Sequence, residues 1–250
     1  MLTRDALLGG RVVFHQPAQG YRAAIDPVLL AASIPETIRG RVADLGAGAG
    51  AATLCLAMRL PGIEVVGIER DGAMADIARR NVAANALEGR VTIVEADLRA
   101  LPASWAAESF DAVIANPPYL EAPRANAVPH RGKEAATVES EADLAAWIEA
   151  ALRLAKPKAL LAFVHRADRL ADLLACLRGR AGAIVVFPLW PRQGEAAKRV
   201  IVQARKGMRT PLTLAGGLVL HGPDGRYTEA ADAVLRGAGL HWQAGAGSLR

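Results

Sequence analysis

Four consecutive residues, Asn116-Pro117-Pro118-Tyr119, have types suited to one kind of chemistry. An exocyclic amine on adenine, or an amide nitrogen, has a delocalised lone pair and is a poor nucleophile. The Asn116 side-chain oxygen and the Pro117 carbonyl can each accept one of its N–H groups. Two such acceptors draw the nitrogen toward tetrahedral geometry and localise its lone pair. Successive prolines fix φ and keep the spacing of the two acceptors constant. Tyr119 offers a flat face for stacking on a planar substrate. In isolation the tetrapeptide could simply be a proline turn with a surface tyrosine. Its position after the strand-like run Phe110–Ala115, on the same sheet edge as a glycine loop, favours chemistry.

That loop is Asp44-Leu45-Gly46-Ala47-Gly48-Ala49-Gly50. It follows the strand-like Arg41–Leu45 and opens a helix. Gly46, Ala47, Gly48 and Gly50 let a ligand approach backbone N–H groups in the crevice at the carboxyl ends of the strands. Dinucleotide enzymes use a related pattern, so the neighbouring acids decide. Asp44 before the first glycine would repel a pyrophosphate but suits the ammonium of a methionine moiety. Glu69 closes the second strand, where a carboxylate can bind both ribose hydroxyls. Asp97 follows the third strand and can accept from an adenine amino group. The set fits S-adenosylmethionine better than a nicotinamide dinucleotide. A sulfonium is already an excellent leaving group, so in-line transfer needs no metal and no covalent enzyme intermediate.

The elements that must position these groups alternate. Strands are expected at 41–45, 64–69, 91–96, 110–115, 159–164, 183–187 and 199–204. Helices are expected at 51–59, from Asp71 to about Asn85, at 143–155 and at 167–177. Asp71 is a good N-cap, and Pro61-Gly62 stops the helix before the second strand. The pattern predicts an α/β fold with a seven-stranded, mostly parallel sheet and helices on both faces. Residues 1–40 are read as an N-terminal extension packing on the core, with a helix start at Pro27 capped by Asp26. Residues 41–210 are the main domain and 211–250 a C-terminal extension with poorly ordered last residues. Leu120–Ser140 is expected to be a mobile loop.

The chain has 250 residues, is 52% hydrophobic and carries a formal charge of +5. It can bury a sizeable core, and its basic surface is compatible with nucleic acid. The two cysteines, Cys55 and Cys176, lack metal-ligand spacing, so neither zinc nor a disulfide framework is expected. The N-terminus lacks a signal-peptide core, and no run is long enough to span a bilayer. These features predict a cytoplasmic protein with no membrane partner.

The glycine loop with the later Asn-Pro-Pro-Tyr resembles the class I methyltransferases of the amino-nitrogen type. That resemblance covers about residues 41–165 and implies a Rossmann-like fold and S-adenosylmethionine as cofactor. Gln19-Gly20-Tyr21-Arg22, Ile25–Leu30, Pro191–Val200, Leu220-His221 and Asp224–Thr228 extend it. With them the chain is similar to the bacterial tRNA (adenine-N6) methyltransferases that modify valine tRNA beside the anticodon. The resemblance implies RNA, chiefly tRNA, as partner. Glutamine N5-methyltransferases of release factors share the tetrapeptide but usually carry a larger helical domain before the loop. A non-enzymatic RNA-binding module on the same fold is a third reading, opposed by the intact Asp44, Glu69 and Asn116.

Basic residues are candidates for phosphate contact. Arg124, His130, Arg131 and Lys133 follow the tetrapeptide, and Arg131 and Lys133 are favoured among them. Arg192, Lys198 and Arg199 lie near the last strands, with Arg205, Lys206 and Arg209 beyond. The resemblance implies that Asp26 could approach the cofactor. His165 is read as a structural histidine, and neither residue is assigned to catalysis.

Overall fold

The computed structural model describes residues 1–19, 23, 25–101, 105, 108–118 and 144–242. Its central strands are β3 (Gly40–Leu45), β4 (Ile63–Glu69), β5 (Val91–Glu95), β6 (Phe110–Ala115), β7 (Ala155–Arg166), β8 (Ala181–Trp190) and β9 (Arg199–Lys206). They run in the order β5-β4-β3-β6-β7-β9-β8, all parallel except β9, which is antiparallel to both of its neighbours. This is the expected seven-stranded Rossmann-like sheet. Two two-residue strands, β10 (Thr213–Leu214) and β11 (Leu218–Val219), run parallel along the outer edge of β8.

Strands buried on both faces need apolar residues at every position, and β6 and β7 supply them as near-continuous runs. Alternate side chains serve opposite layers. Val42, Ala112 and Ile114 pack in one core with the helices α1 (Asp26–Ser33), α2 (Ala51–Arg59) and α3 (Gly72–Ala84). Ala43, Leu45 and Val113 pack in the other, with α4 (144–154) and α5 (Leu170–Leu177). The Asp71 carboxylate caps α3 as its sequence position suggests, accepting from Ala73 N at 2.9 Å and Met74 N at 3.2 Å. The last helix, α6 (Glu229–Leu235), is capped by Thr228.

The parallel register brings the functional ends together. Leu45 of β3 faces Ile68 of β4 on one side and Ala115 of β6 on the other. The next residue of each strand is Gly46, Glu69 or Asn116. Three of the sequence candidates therefore leave the sheet in one row.

The N-terminal segment contains a hairpin that the sequence pattern did not reveal. It consists of β1 (Leu2–Leu7) and β2 (Val12–Pro17). Val12 and Phe14 are fully buried in the core that holds α1 to α3. The free edge of β2 does not join the sheet; it docks on two asparagines one helical turn apart on α3. Asn81 Oδ1 accepts from His15 N at 2.8 Å and its Nδ2 donates to His15 O at 2.8 Å. Asn85 makes the same pair of contacts with Val13, at 2.9 and 2.7 Å. Both amides stand in for a strand partner. α1 begins at Asp26 itself, and the preceding Ile25 is the N-cap, which corrects the expected boundary. No helix among the described residues is long and apolar enough to cross a membrane. Residues 243–250 and the whole 120–140 loop lie outside the described residues, as do the expectations for them.

Asn81 is fully buried and also donates to Ala49 O at 2.9 Å. Asn81→Ala leaves buried backbone groups of both the hairpin and the glycine loop unpaired. The expected loss is about 3 kcal/mol of folding stability, measured by urea unfolding.

Candidate functional site

A cleft of about 1230 Å³ opens along the carboxyl ends of the parallel strands. Asp44, Gly46, Ala47, Gly48, Glu69, Asp97, Asn116, Pro117 and Pro118 all line it. Gly50 does not; it serves as the N-cap of α2 with φ +91°, a conformation that favours glycine. Gly46 is required for a second reason. A Cβ there would lie 2.2 Å from the Trp147 ring, so the loop passes directly beneath α4.

The two acids of the loop region have different environments. Asp44 is 2% exposed, and its Oδ2 accepts a 2.6 Å hydrogen bond from Thr53 Oγ1 of α2. Burial pushes its carboxyl pKa up to about 7; the hydrogen bonds from Thr53 oppose the rise, and the nearby Glu69 charge adds to it. Glu69 ties the loop down instead. Its Oε2 accepts from Gly48 N at 2.8 Å and its Oε1 from Asp71 N at 2.8 Å. Each oxygen keeps a second lone pair for a ligand. Asp97 starts a single 3-10 turn, with Oδ1 accepting from Arg99 N at 2.9 Å.

At α2, the N-cap supplies no side-chain hydrogen bond, and the first turn contains no acid. Ala51 and Ala52 of that turn line the cleft. A helix start of this kind favours an anionic ligand group, and a buried carboxylate favours a cationic one. With Glu69 beside them, a carboxylate whose free lone pairs can accept from hydroxyls, this set fits an amino-acid nucleoside zwitterion. The fold and site together define an enzyme cleft for group transfer from such a nucleoside.

The comparisons with known proteins agree. Residues 23–139 match the family described as methyltransferase small domain. The chain is 29% identical over 211 residues to a tRNA1(Val) (adenine(37)-N6)-methyltransferase of Aeromonas hydrophila subsp. hydrophila. The match spans 83% of this chain and 86% of that protein. A release factor glutamine methyltransferase of Chlorobaculum tepidum is 40% identical over 82 residues, only 32% of this chain and 27% of that one. The crystal structure of a predicted O-methyltransferase from Agrobacterium tumefaciens superposes with a TM-score of 0.73 at 30% identity, covering 88% of this chain and 99% of that chain. The chain belongs to the class I S-adenosylmethionine-dependent methyltransferases.

The remaining candidates divide. Lys198 and Arg199 line the cleft. Arg199 Nε donates to Asp26 Oδ2 at 3.1 Å, so Asp26 meets a cation at the cleft edge. Tyr119, Arg124, His130, Arg131 and Lys133 lie outside the described residues. Arg205 and Lys206 do not share the edge with Arg199. Because β9 is antiparallel, they stand at its far end; Arg205 faces Leu160 while Arg199 faces Arg166. Lys206 there donates to Glu108 Oε1 at 2.9 Å. His165 is 6% exposed and is not among the residues lining the cleft. Burial, reinforced by the Arg169 charge, lowers its pKa to about 4, so it stays neutral at pH 7.

Sequence reasoning missed several lining residues: Phe14, Gln16 and Pro17 of the hairpin, Met74 of α3, Trp147, and the Arg166–Asp168 pair. Arg166 Nε donates to Asp168 Oδ1 at 2.9 Å, and this bond holds the Asp168 carboxyl below its ordinary range. Only Trp147 left a signal, as the largest residue on the apolar face of α4.

The raised Asp44 pKa has a definite sign. In the cofactor-free protein this group favours folding below about pH 4, and that contribution is lost as pH rises through 7. An ammonium seated against Asp44 instead requires the ionised carboxylate, and an α-ammonium keeps its proton up to about pH 7.7. S-adenosylmethionine binding is therefore expected to tighten by up to about tenfold per pH unit from pH 6 to 7. Calorimetric titration of wild type and Asp44→Asn checks this: the variant should bind more weakly with a flat profile, and a flat wild-type profile would exclude the contact.

Proposed function

We propose that this enzyme methylates the exocyclic N6 amine of adenine in RNA, with tRNA beside the anticodon as the preferred acceptor. The observation that carries the proposal is that Asn116 and Pro117 enter the cofactor cleft from the end of β6, beside Gly46. In this reading the Asn116 side-chain oxygen and the Pro117 carbonyl accept the two amine N–H groups. Pro117 is buried and Pro118 is exposed, so the loop is anchored at one acceptor and open beyond it. Tyr119 stacks on the flipped base. Asp44 receives the cofactor's ammonium, the start of α2 its carboxylate, Glu69 its ribose hydroxyls and Asp97 its adenine amine. The bound cofactor supplies an electrophilic methyl group. The protein contributes position, charge complementarity and the rehybridised acceptor nitrogen.

Two spaced acceptors match an –NH2 group, which has two protons to donate. A hydroxyl has one, so an oxygen substrate would leave one acceptor unused. This argues for nitrogen here, although the Agrobacterium relative is described as a predicted O-methyltransferase. The similarity to a tRNA adenine methyltransferase over 83% of this chain and 86% of that protein supports RNA over protein. A glutamine amide is the second reading, because it too presents –NH2, and a release factor glutamine methyltransferase is similar over 82 residues. The cytoplasm, where an unstacked tRNA loop is available, is the proposed compartment. A loop adenine costs least to flip.

Asn116→Ala should lower turnover by about 10²- to 10³-fold, while the S-adenosylmethionine dissociation constant changes little. Unchanged turnover sinks the mechanism. Loss of N6-methyladenosine from the tRNA of a deletion strain, read by mass spectrometry, identifies the acceptor. Label from radioactive cofactor that resists RNase and travels with protein selects the glutamine reading.

A further inference from the structure

The segment Leu220–Thr228 sits outside the cofactor cleft and has no role in the reaction described above. Its geometry is well defined. β11 runs parallel to β8, so its carboxyl end lies on the same sheet edge as the cleft. Beyond it the chain makes a tight hairpin. His221 bridges to Tyr227, Gly222 N donates to Arg226 O at 2.9 Å, and Thr228 N donates to Leu220 O at 2.9 Å. His221 N is held on Pro191 O at 3.0 Å, at the end of β8.

The hairpin carries two rings in a stack. The His221 and Tyr227 centroids are 4.8 Å apart and the planes differ by 25°. Tyr227 is still 41% exposed, one of the few large side chains so placed. Next to it the Arg226 side chain is 87% exposed, and its one acidic contact among the described residues, Asp224, is loose at 3.9 Å. A row of facing residues, Arg166, Arg199, Leu189 and Leu218, links the cleft to this hairpin across four strands. Lys198 lines the cleft on that route, is exposed, and has no ion pair among the described residues. From β6 to β11 there are four strand spacings, about 19 Å.

We propose that the His221–Tyr227 stack, flanked by Arg226, is a second RNA subsite: a platform on which an unpaired base stacks while the target adenine occupies the Asn116 site. The proposal rests on RNA being the acceptor. An aromatic face with a neighbouring cation is the chemistry that binds single-stranded nucleotides without sequence choice. The separation from Asn116 means that a free nucleoside cannot reach both sites and a structured loop can. The platform contributes RNA affinity and register; it does not touch the reacting atoms.

The test uses the full chain and a fluorescent stem-loop transcript with adenine in its loop, followed by anisotropy, alongside methyl transfer to the same RNA. Tyr227→Ala should weaken RNA binding about tenfold or more, and Tyr227→Phe should match wild type to within about twofold. Arg226→Ala, on a side chain too exposed to matter for folding, should weaken binding severalfold and make its salt dependence shallower. S-adenosylmethionine affinity and the thermal midpoint should hold in all three. Unchanged RNA binding in Tyr227→Ala and Arg226→Ala overturns the platform. So does a parallel loss of cofactor affinity, which would make the stack a structural clip. If wild type does not bind the RNA, the platform and the acceptor assignment fall together. If it binds with the expected Tyr227 dependence but no methyl enters RNA, the acceptor assignment falls and with it the role of a substrate subsite, leaving the stack as an RNA-binding surface only.

Discussion

The row Leu45, Ile68 and Ala115 is the constraint on which the site depends. Parallel strands share an edge, and their register decides which residues leave it together. Here the next residue of each strand is a glycine, an acid or an amide with a different task. A shift of one residue in β6 would move Asn116 into the sheet and turn the apolar run of Phe110–Ala115 inside out. The register is secured because both faces of β6 are buried, which leaves no face able to accept the wrong set of side chains. The position of the chemistry is thus a consequence of core packing.

Asp44 shows what this arrangement costs. The register that aligns the strand ends also puts a carboxylate in the core, where burial raises its pKa to about 7. Thr53 supplies hydrogen bonds from its hydroxyl and its backbone, and no ion pair joins Asp44 to a cation among the described residues. The group is left poised for a positive ligand. Asn81 works at the other end of the same loop. Its contacts with His15 and Ala49 join the N-terminal hairpin to the glycine turn. The hairpin therefore forms a wall of the cleft that is fixed to the loop it covers.

The sequence made the sheet legible because its strands are apolar runs bounded by glycine, proline or acids. Phe110–Ala115 and the cap at Asp71 agree with the structure residue for residue. The edges of β7 and β8 were not legible. β7 begins at Ala155, before Pro157, and passes through an irregularity opposite Phe110; β8 continues through Pro188. Prolines inside a strand read as breaks, and here edge geometry and a bulge absorb them. The β1–β2 hairpin escaped notice because its partners are side-chain amides on α3, 66 and 72 positions away. No local periodicity reports such a contact. That Asp44, Glu69, Asp97 and Asn116 line the cleft could be read because carboxylates and an amide at strand ends are not what core packing selects. The lining from Phe14 and Met74 could not, because apolar residues that face a ligand look like any core residue.

Charge at the cleft mouth is less available than a count of arginines implies. Among the residues that line the cleft, Arg166 is tied to Asp168 and Arg199 to Asp26. Each pair fixes a guanidinium in place and cancels most of its field beyond a Debye length. A site built this way orients a polyanion at short range and attracts it weakly from a distance. Under the proposed function, selection of RNA comes from contacts that do not depend on net charge: the amide and carbonyl acceptors at the amine, and aromatic faces for the bases. The formal charge of +5 is on that account the weakest argument for a nucleic-acid substrate. The acceptor pair proposed at Asn116 and Pro117 selects an –NH2 group, which adenine and a glutamine amide share, so the choice of RNA rests on the proposed ring platform and on the likeness to a tRNA adenine methyltransferase.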